Sequence, residues 1–106
     1  MVILVKRFVV AELSVVPVGT GRTGLSDYIA AALREVKRAG VKYQLCPTCT
    51  VFEAEFDTAL KIVKAAHQAV IDSGAKRVIT TLRIDDRLDI QRTMEERVKR
   101  VAEKTK

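Results

Sequence analysis

Between Phe8 and Val16 the chain alternates without a break, with Val9, Ala11, Leu13 and Val15 on one side and Phe8, Val10, Glu12, Ser14 and Val16 on the other. Successive side chains of a β-strand point to opposite faces, so this is a strand with one wholly apolar face and one mixed face. It reads as a central strand. Pro17 ends it, and Gly19-Thr20-Gly21 forms a loop before Thr23 or Ser26, either of which can cap the next element.

Tyr28, Ile29, Ala32, Leu33 and Val36 then recur at helical spacing with charges between them, and Gly40 closes the run. Val41–Leu45 is a short strand, Cys46–Cys49 a turn and Thr50–Phe56 a second strand, together a hairpin. Leu60, Val63, Ala66, Val70 and Ile71 predict a second amphipathic helix stopped by Ser73-Gly74, and Val78, Leu82 and Ile84 alternate as a last strand. Thr93 to Glu103 has the composition of a charged terminal helix with a thin apolar stripe of Met94, Val98 and Val101.

The resulting order, β-α-β-β-α-β plus a tail helix, is the split βαβ arrangement of an α+β, ferredoxin-like domain with a four-stranded antiparallel sheet. Right-handed crossovers place the first strand and the second hairpin strand in the middle, with the last strand flanking the first. Both helices cover one face of the sheet and the other stays open. The 106 residues, 48% of them apolar, supply one modest core, so residues 1–106 are expected to form a single domain. A domain of this size leaves roughly a third of its unfolded surface exposed, which makes assembly with further copies a natural source of stability.

The net charge of +6 raises nucleic-acid or membrane-surface binding as a possibility. Acidic residues are interleaved with basic ones in both halves of the sequence, however, a pattern that favours solubility over a phosphate-binding stripe. Met1–Val5 is too short for the apolar stretch of a secretory signal, and Lys6 and Arg7 stand after it instead of before it. No apolar run approaches the ~20 residues of a membrane span. A cytoplasmic protein with no membrane partner is expected. The absence of Asn and the presence of only three Gln in a chain that is 30% charged lean toward a thermophilic source.

The chemistry-bearing residues are few. Glu12 and Ser14 fall on the open face, as does Glu53, which stands two residues beyond Val51, and Ser14 with Thr80 or Thr81 adds hydroxyls there. Two carboxylates with hydroxyls suit a cation, and carboxylates withdrawn from water need a partner. A solvated face, or one covered by another subunit, is the alternative. Cys46-Pro47-Thr48-Cys49 has the C-x-x-C spacing of redox and zinc proteins. Thr50-Val51-Phe52 continues as strand, though, where a catalytic redox thiolate needs a helix N-terminus, and two Cys with one His complete a four-ligand zinc site only with a carboxylate or another subunit. Structural thiols in a turn are therefore expected, with an incidental or regulatory disulfide as the alternative.

His67, the one histidine, lies near the second helix's stripe and reads as a packing residue. No nucleophile stands in a spacing that pairs it with a base, and no P-loop, dinucleotide-binding loop or nucleophile elbow occurs. No catalytic residue, metal site or cofactor is therefore expected. Arg83-Ile84-Asp85-Asp86-Arg87-Leu88-Asp89 suits ion pairs within or between subunits. Phe8 and Phe52 invite comparison with RNA-binding domains that stack bases on strand aromatics, but Glu53 and Glu55 repel phosphate and Phe52 falls on the core side.

Three stretches, AELSVVPVGTG at 11–21, TVFEAEFDTALKIVKAAHQAV at 50–70 and GAKRVITTLRIDDRLD at 74–89, together resemble the thiamine-binding-protein family of small ferredoxin-like proteins, which belongs with the YkoF-like binders of hydroxymethylpyrimidine and thiamine. The resemblance implies a cytoplasmic homo-oligomer, typically a tetramer built as a dimer of dimers, that binds thiamine or its pyrimidine moiety without catalysis. Glu12, Ser14, Thr20, Thr50, Glu53 and Thr80 match the family's polar motif positions and are the ligand residues it implies. The chain departs from the family pattern at Cys46-Pro47-Thr48-Cys49, where relatives carry a hydroxyl residue, Pro-Met and a small residue, and at Ala54, where Gly is common.

Thiamine's thiazolium cation and aminopyrimidine amino group are both natural partners for carboxylates. The expectation is therefore a non-catalytic binding protein with a polar pocket around Glu12 and Glu53. An oligomerising structural or regulatory module without a ligand, and a nucleic-acid-binding domain, are the alternatives.

Overall fold

The structure, a computed structural model, describes residues 7–106; the apolar start at Met1–Val5 lies outside them. Its elements are β1 (Val9–Pro17), α1 (Ser26–Arg38), β2 (Lys42–Leu45), β3 (Thr50–Ala54), α2 (Phe56–Asp72), β4 (Val78–Asp85) and α3 (Met94–Lys104). The strands form one sheet in the order β2-β3-β1-β4, every neighbouring pair antiparallel. This is the expected ferredoxin-like α+β architecture, with the tail helix added.

The alternation in β1 sorts its side chains as expected. Val9, Ala11, Leu13 and Val15 are buried beneath the helices, whereas Glu12 and Val16 are exposed on the opposite face. Phe52 of β3 is paired with Ala11 and is fully withdrawn from solvent together with Val36 of α1 and Val70 of α2. Burying a side chain such as Phe52 is worth about 1.5–3 kcal/mol, and this cluster holds both helices to the sheet.

Three local expectations are corrected. Neither Thr23 nor Ser26 caps α1: Leu25 occupies the N-cap position without a side-chain hydrogen bond, and Ser26 is already helical. The strand expected to reach Phe56 stops at Ala54, because Glu55 is extended while Phe56 and Asp57 already form the first turn of α2. The buried stripe of α2 is Ala59, Ile62, Ala66 and Val70, and Leu60 and Ile71 face outward. Alanines at 59 and 66 let the helix backbone lie close to the sheet, a packing that the larger Leu60 could not allow. At the end of α1, Gly40 has φ +72°, a left-handed conformation that costs glycine nothing, and its N–H closes the helix on the Lys37 carbonyl.

The tail helix is capped reciprocally. The Thr93 hydroxyl accepts the Glu96 N–H at 3.1 Å and the Glu96 carboxylate accepts the Thr93 N–H at 3.4 Å. Of its expected stripe only Met94 is buried, and Val98 and Val101 are 62% and 63% exposed. The helix is thus anchored at its start and projects away from the sheet with its apolar side uncovered.

Candidate functional site

Strand register divides the open face into rows. Lys42, Glu53, Val10 and Asp85 lie abreast in one, and Gln44, Val51, Glu12 and Arg83 in the next. Ser14 and Thr81 are paired in the third, and extending the β1–β3 register one step beyond the Leu13–Thr50 pair brings Cys49 opposite Ser14.

The first row fastens α3. Glu53 is 8% exposed, and its Oε1 accepts the backbone N–H of Met94 at 3.3 Å. Its Oε2 is held by an ion pair, 2.6 Å from Lys42 Nζ, which also meets Glu95 at 2.9 Å. A buried carboxylate without such a partner would be strongly destabilising. The Lys42 pKa is accordingly raised from 10.5, chiefly by the hydrogen bond to Glu53 and then by that to Glu95, and the Glu95 pKa is lowered from 4.5, chiefly by Lys42. Arg97 adds an ion pair to Asp85 from the next turn of α3. Part of the charge-alternating run therefore serves the tail helix, while Asp86 pairs with Arg7 and Arg87 with Asp89.

At the other end of the sheet lies a small open cleft, lined by Leu13, Ser14, Val15 and Val16 of β1, one side of α1 from Ile29 to Val36, and the β2–β3 turn from Leu45 to Thr50. It exists because of a mismatch in strand length. β3 begins at Thr50, opposite Leu13, whereas β1 runs on to Pro17, so from Ser14 onward the β1 edge toward β3 has no strand beside it. A strand edge left open presents backbone N–H and C=O groups. The walls are aliphatic, and Ser14, Thr48 and Thr50 contribute hydroxyls.

Glu12 stands one row from this cleft, and Cys49 on the cleft wall lies close enough to both Cys46 and Glu12 for them to act on its thiol, while the Cys46 thiol donates weakly to the Gln44 carbonyl at 3.9 Å. Burial, then the neighbouring Cys46 and Glu12, push the Cys49 pKa up from 9.0. Both cysteines are free thiols.

The six expected ligand residues therefore do not all converge. Ser14 and Thr50 line the cleft, and Glu12 stands at its edge. Glu53 lies beyond Glu12 on the open face, engaged by Lys42 and Met94. Thr80 is paired with Val15 and so faces the helices, where its hydroxyl shares a 2.6 Å hydrogen bond with His67 Nδ1; Thr81 is the threonine on the open face. Thr20 lies in the β1–α1 loop, its hydroxyl donating to the Arg22 carbonyl and accepting the Arg22 N–H, both at 3.2 Å.

Sequence reasoning missed Ile29, Leu33 and Leu45 as cleft walls and Cys49 as the link to Glu12. Cys49 was recoverable, since the residue before a core-facing Thr50 alternates toward Glu12.

The family model of the thiamine-binding protein matches residues 11–102. The chain belongs to the thiamine-binding protein family. Within it, the chain is 46% identical over 97 residues to a UPF0045 protein of Methanothermobacter thermautotrophicus, covering 91% of this chain and 98% of that one. The fold is similar to that of a hypothetical protein of Methanocaldococcus jannaschii, with a TM-score of 0.84, 36% identity and coverage of 92% and 98% of the two chains. It is also similar to a Thermotoga maritima protein whose name refers to thiamine biosynthesis/salvage, with a TM-score of 0.73, 32% identity and coverage of 89% and 98%. Among the described residues no helix is long and apolar enough to cross a membrane.

Proposed function

We propose that this member of the family is a non-catalytic cytoplasmic protein that binds thiamine or its hydroxymethylpyrimidine moiety, and that the ligand sits in the cleft between β1, α1 and the β2–β3 turn. The observation that carries this reading is the open edge of β1 along an aliphatic cleft. An aminopyrimidine offers an amino donor beside a ring-nitrogen acceptor, the two kinds of group that an unpaired strand edge can satisfy with its C=O and N–H. Ile29, Leu33 and Leu45 can pack on the flat ring, and Ser14 and Thr50 can complete its hydrogen bonds. Glu12, one row from the cleft on the open face, is the carboxylate we assign to the thiazolium cation. Glu53, expected beside it, serves instead to hold α3.

Titration calorimetry with thiamine and with hydroxymethylpyrimidine tests the reading. Saturable heat at one ligand per subunit, weakened for thiamine by Glu12→Gln, supports it; no heat with either ligand from folded protein refutes it.

A homo-oligomer, a tetramer formed as a dimer of dimers, is the assembly we propose for the same protein. Val98 and Val101 on α3, with Leu88 and Ile90 before it, are exposed aliphatic residues on one projecting segment. Such a concentration favours burial against further copies of the chain.

A further inference from the structure

Cys46 and Cys49 flank the two-residue tip Pro47-Thr48 of the β2–β3 hairpin, and the Cys46 N–H donates to the Cys49 carbonyl at 2.8 Å. Residues directly opposed on antiparallel chains have Cα atoms about 4.5–5.5 Å apart, inside the ~4.4–6.8 Å range that a disulfide spans, and Cys46 and Cys49 stand one step beyond the Leu45–Thr50 pair. The preceding pair, Leu45 and Thr50, is followed by alternation to the other face, so both thiols turn the same way, and both line the cleft. Both are free and partly exposed to solvent, and the Cys46 thiol makes only a weak 3.9 Å contact with the Gln44 carbonyl.

We propose that Cys46 and Cys49 form a redox modification site, a dithiol that exchanges with a small-molecule disulfide and closes an intramolecular bond across the hairpin tip at the wall of the cleft. In the first step the Cys46 thiolate attacks one sulfur of the external disulfide, whose S–S bond breaks and releases one thiol. Cys49 then attacks the Cys46 sulfur of the mixed disulfide and expels the second thiol. Two protein thiols are oxidised, one external disulfide is reduced to two thiols, and the two protons pass from the cysteines to the departing sulfurs. Cys49 takes the second step because its proton is the one held by burial and by Glu12, and an intramolecular attack on an adjacent sulfur needs only a small thiolate fraction. The chemistry is independent of what the cleft binds.

The test is intact-mass spectrometry of acid-quenched wild-type protein equilibrated in buffers of reduced and oxidised glutathione. The expected result is a monomeric species lighter by two hydrogens with no glutathione attached, restored by dithiothreitol. Cys46→Ser and Cys49→Ser should each abolish that species and leave at most one bound glutathione. Wild-type protein that carries two glutathiones, that links to a second chain through these cysteines, or that keeps both thiols across the whole series would overturn the proposal.

Discussion

Glu53 accepts the first backbone N–H of the tail helix, from Met94, at 3.3 Å, while its other oxygen is held 2.6 Å from Lys42 Nζ. One carboxylate on a central strand thus joins the edge strand β2 to a helix that begins 41 residues later. Its position in the middle of the open face makes it resemble a ligand residue, and its partners make it an anchor.

Glu53→Ala should therefore loosen α3 and leave the cleft intact. The variant removes the compensation of Lys42 and the acceptor of Met94 N–H, and a loss of about 1–3 kcal/mol is expected in urea denaturation, the range for breaking a buried hydrogen bond to a charged group. Amide exchange should accelerate from Met94 to Arg97 and remain slow in Phe52 and Val70. Unchanged exchange in α3 would show that the anchor lies elsewhere.

The attachment of α3 should also depend on pH. Glu95 has its pKa lowered by Lys42, so its contribution is present above 4.5 and is lost as pH falls through the lowered value. Lys42 has its pKa raised, so its contribution is present below 10.5 and is lost as pH rises through the raised value. Helicity of α3, followed by amide shifts at low ionic strength, should be level between these limits and fall outside them, with a small amplitude because both groups are solvent-exposed. Lys42→Met should flatten the Glu95-linked part of the acid limb.

Val98→Glu tests the assembly. A charge in the uncovered stripe of α3 should lower the mass measured by light scattering from that of the proposed tetramer toward a smaller species while circular dichroism stays unchanged. A variant that keeps the tetramer mass would place the interface away from α3.

Much of this architecture is legible in the order of periodicities, because β1 and Phe52 sort their faces by simple alternation. Alternation also assigns Thr80: Val78, Leu82 and Ile84 lie toward the helices, so Thr80 between them does too, and only Thr81 can lie beside Ser14. The phase of α2 was less legible, since Leu60 is more apolar than Ala59 yet only the smaller residue fits against the sheet. The role of Glu53 was hidden because Lys42, Met94 and Glu95 come from two distant segments. The cleft was hidden because it arises where β3 starts late against β1, a matter of register between strands far apart in sequence.

The most direct measurement of the central claim is an amide chemical-shift titration of the assigned protein with thiamine. Binding in the cleft should give saturable shifts concentrated at Ser14–Val16, Ile29–Val36 and Cys46–Thr50, with Glu12 following and Thr20 and Thr80 little changed. A titration that leaves these amides unmoved at millimolar thiamine, or that moves only the Lys42–Glu53–Asp85 end of the sheet, would contradict the account.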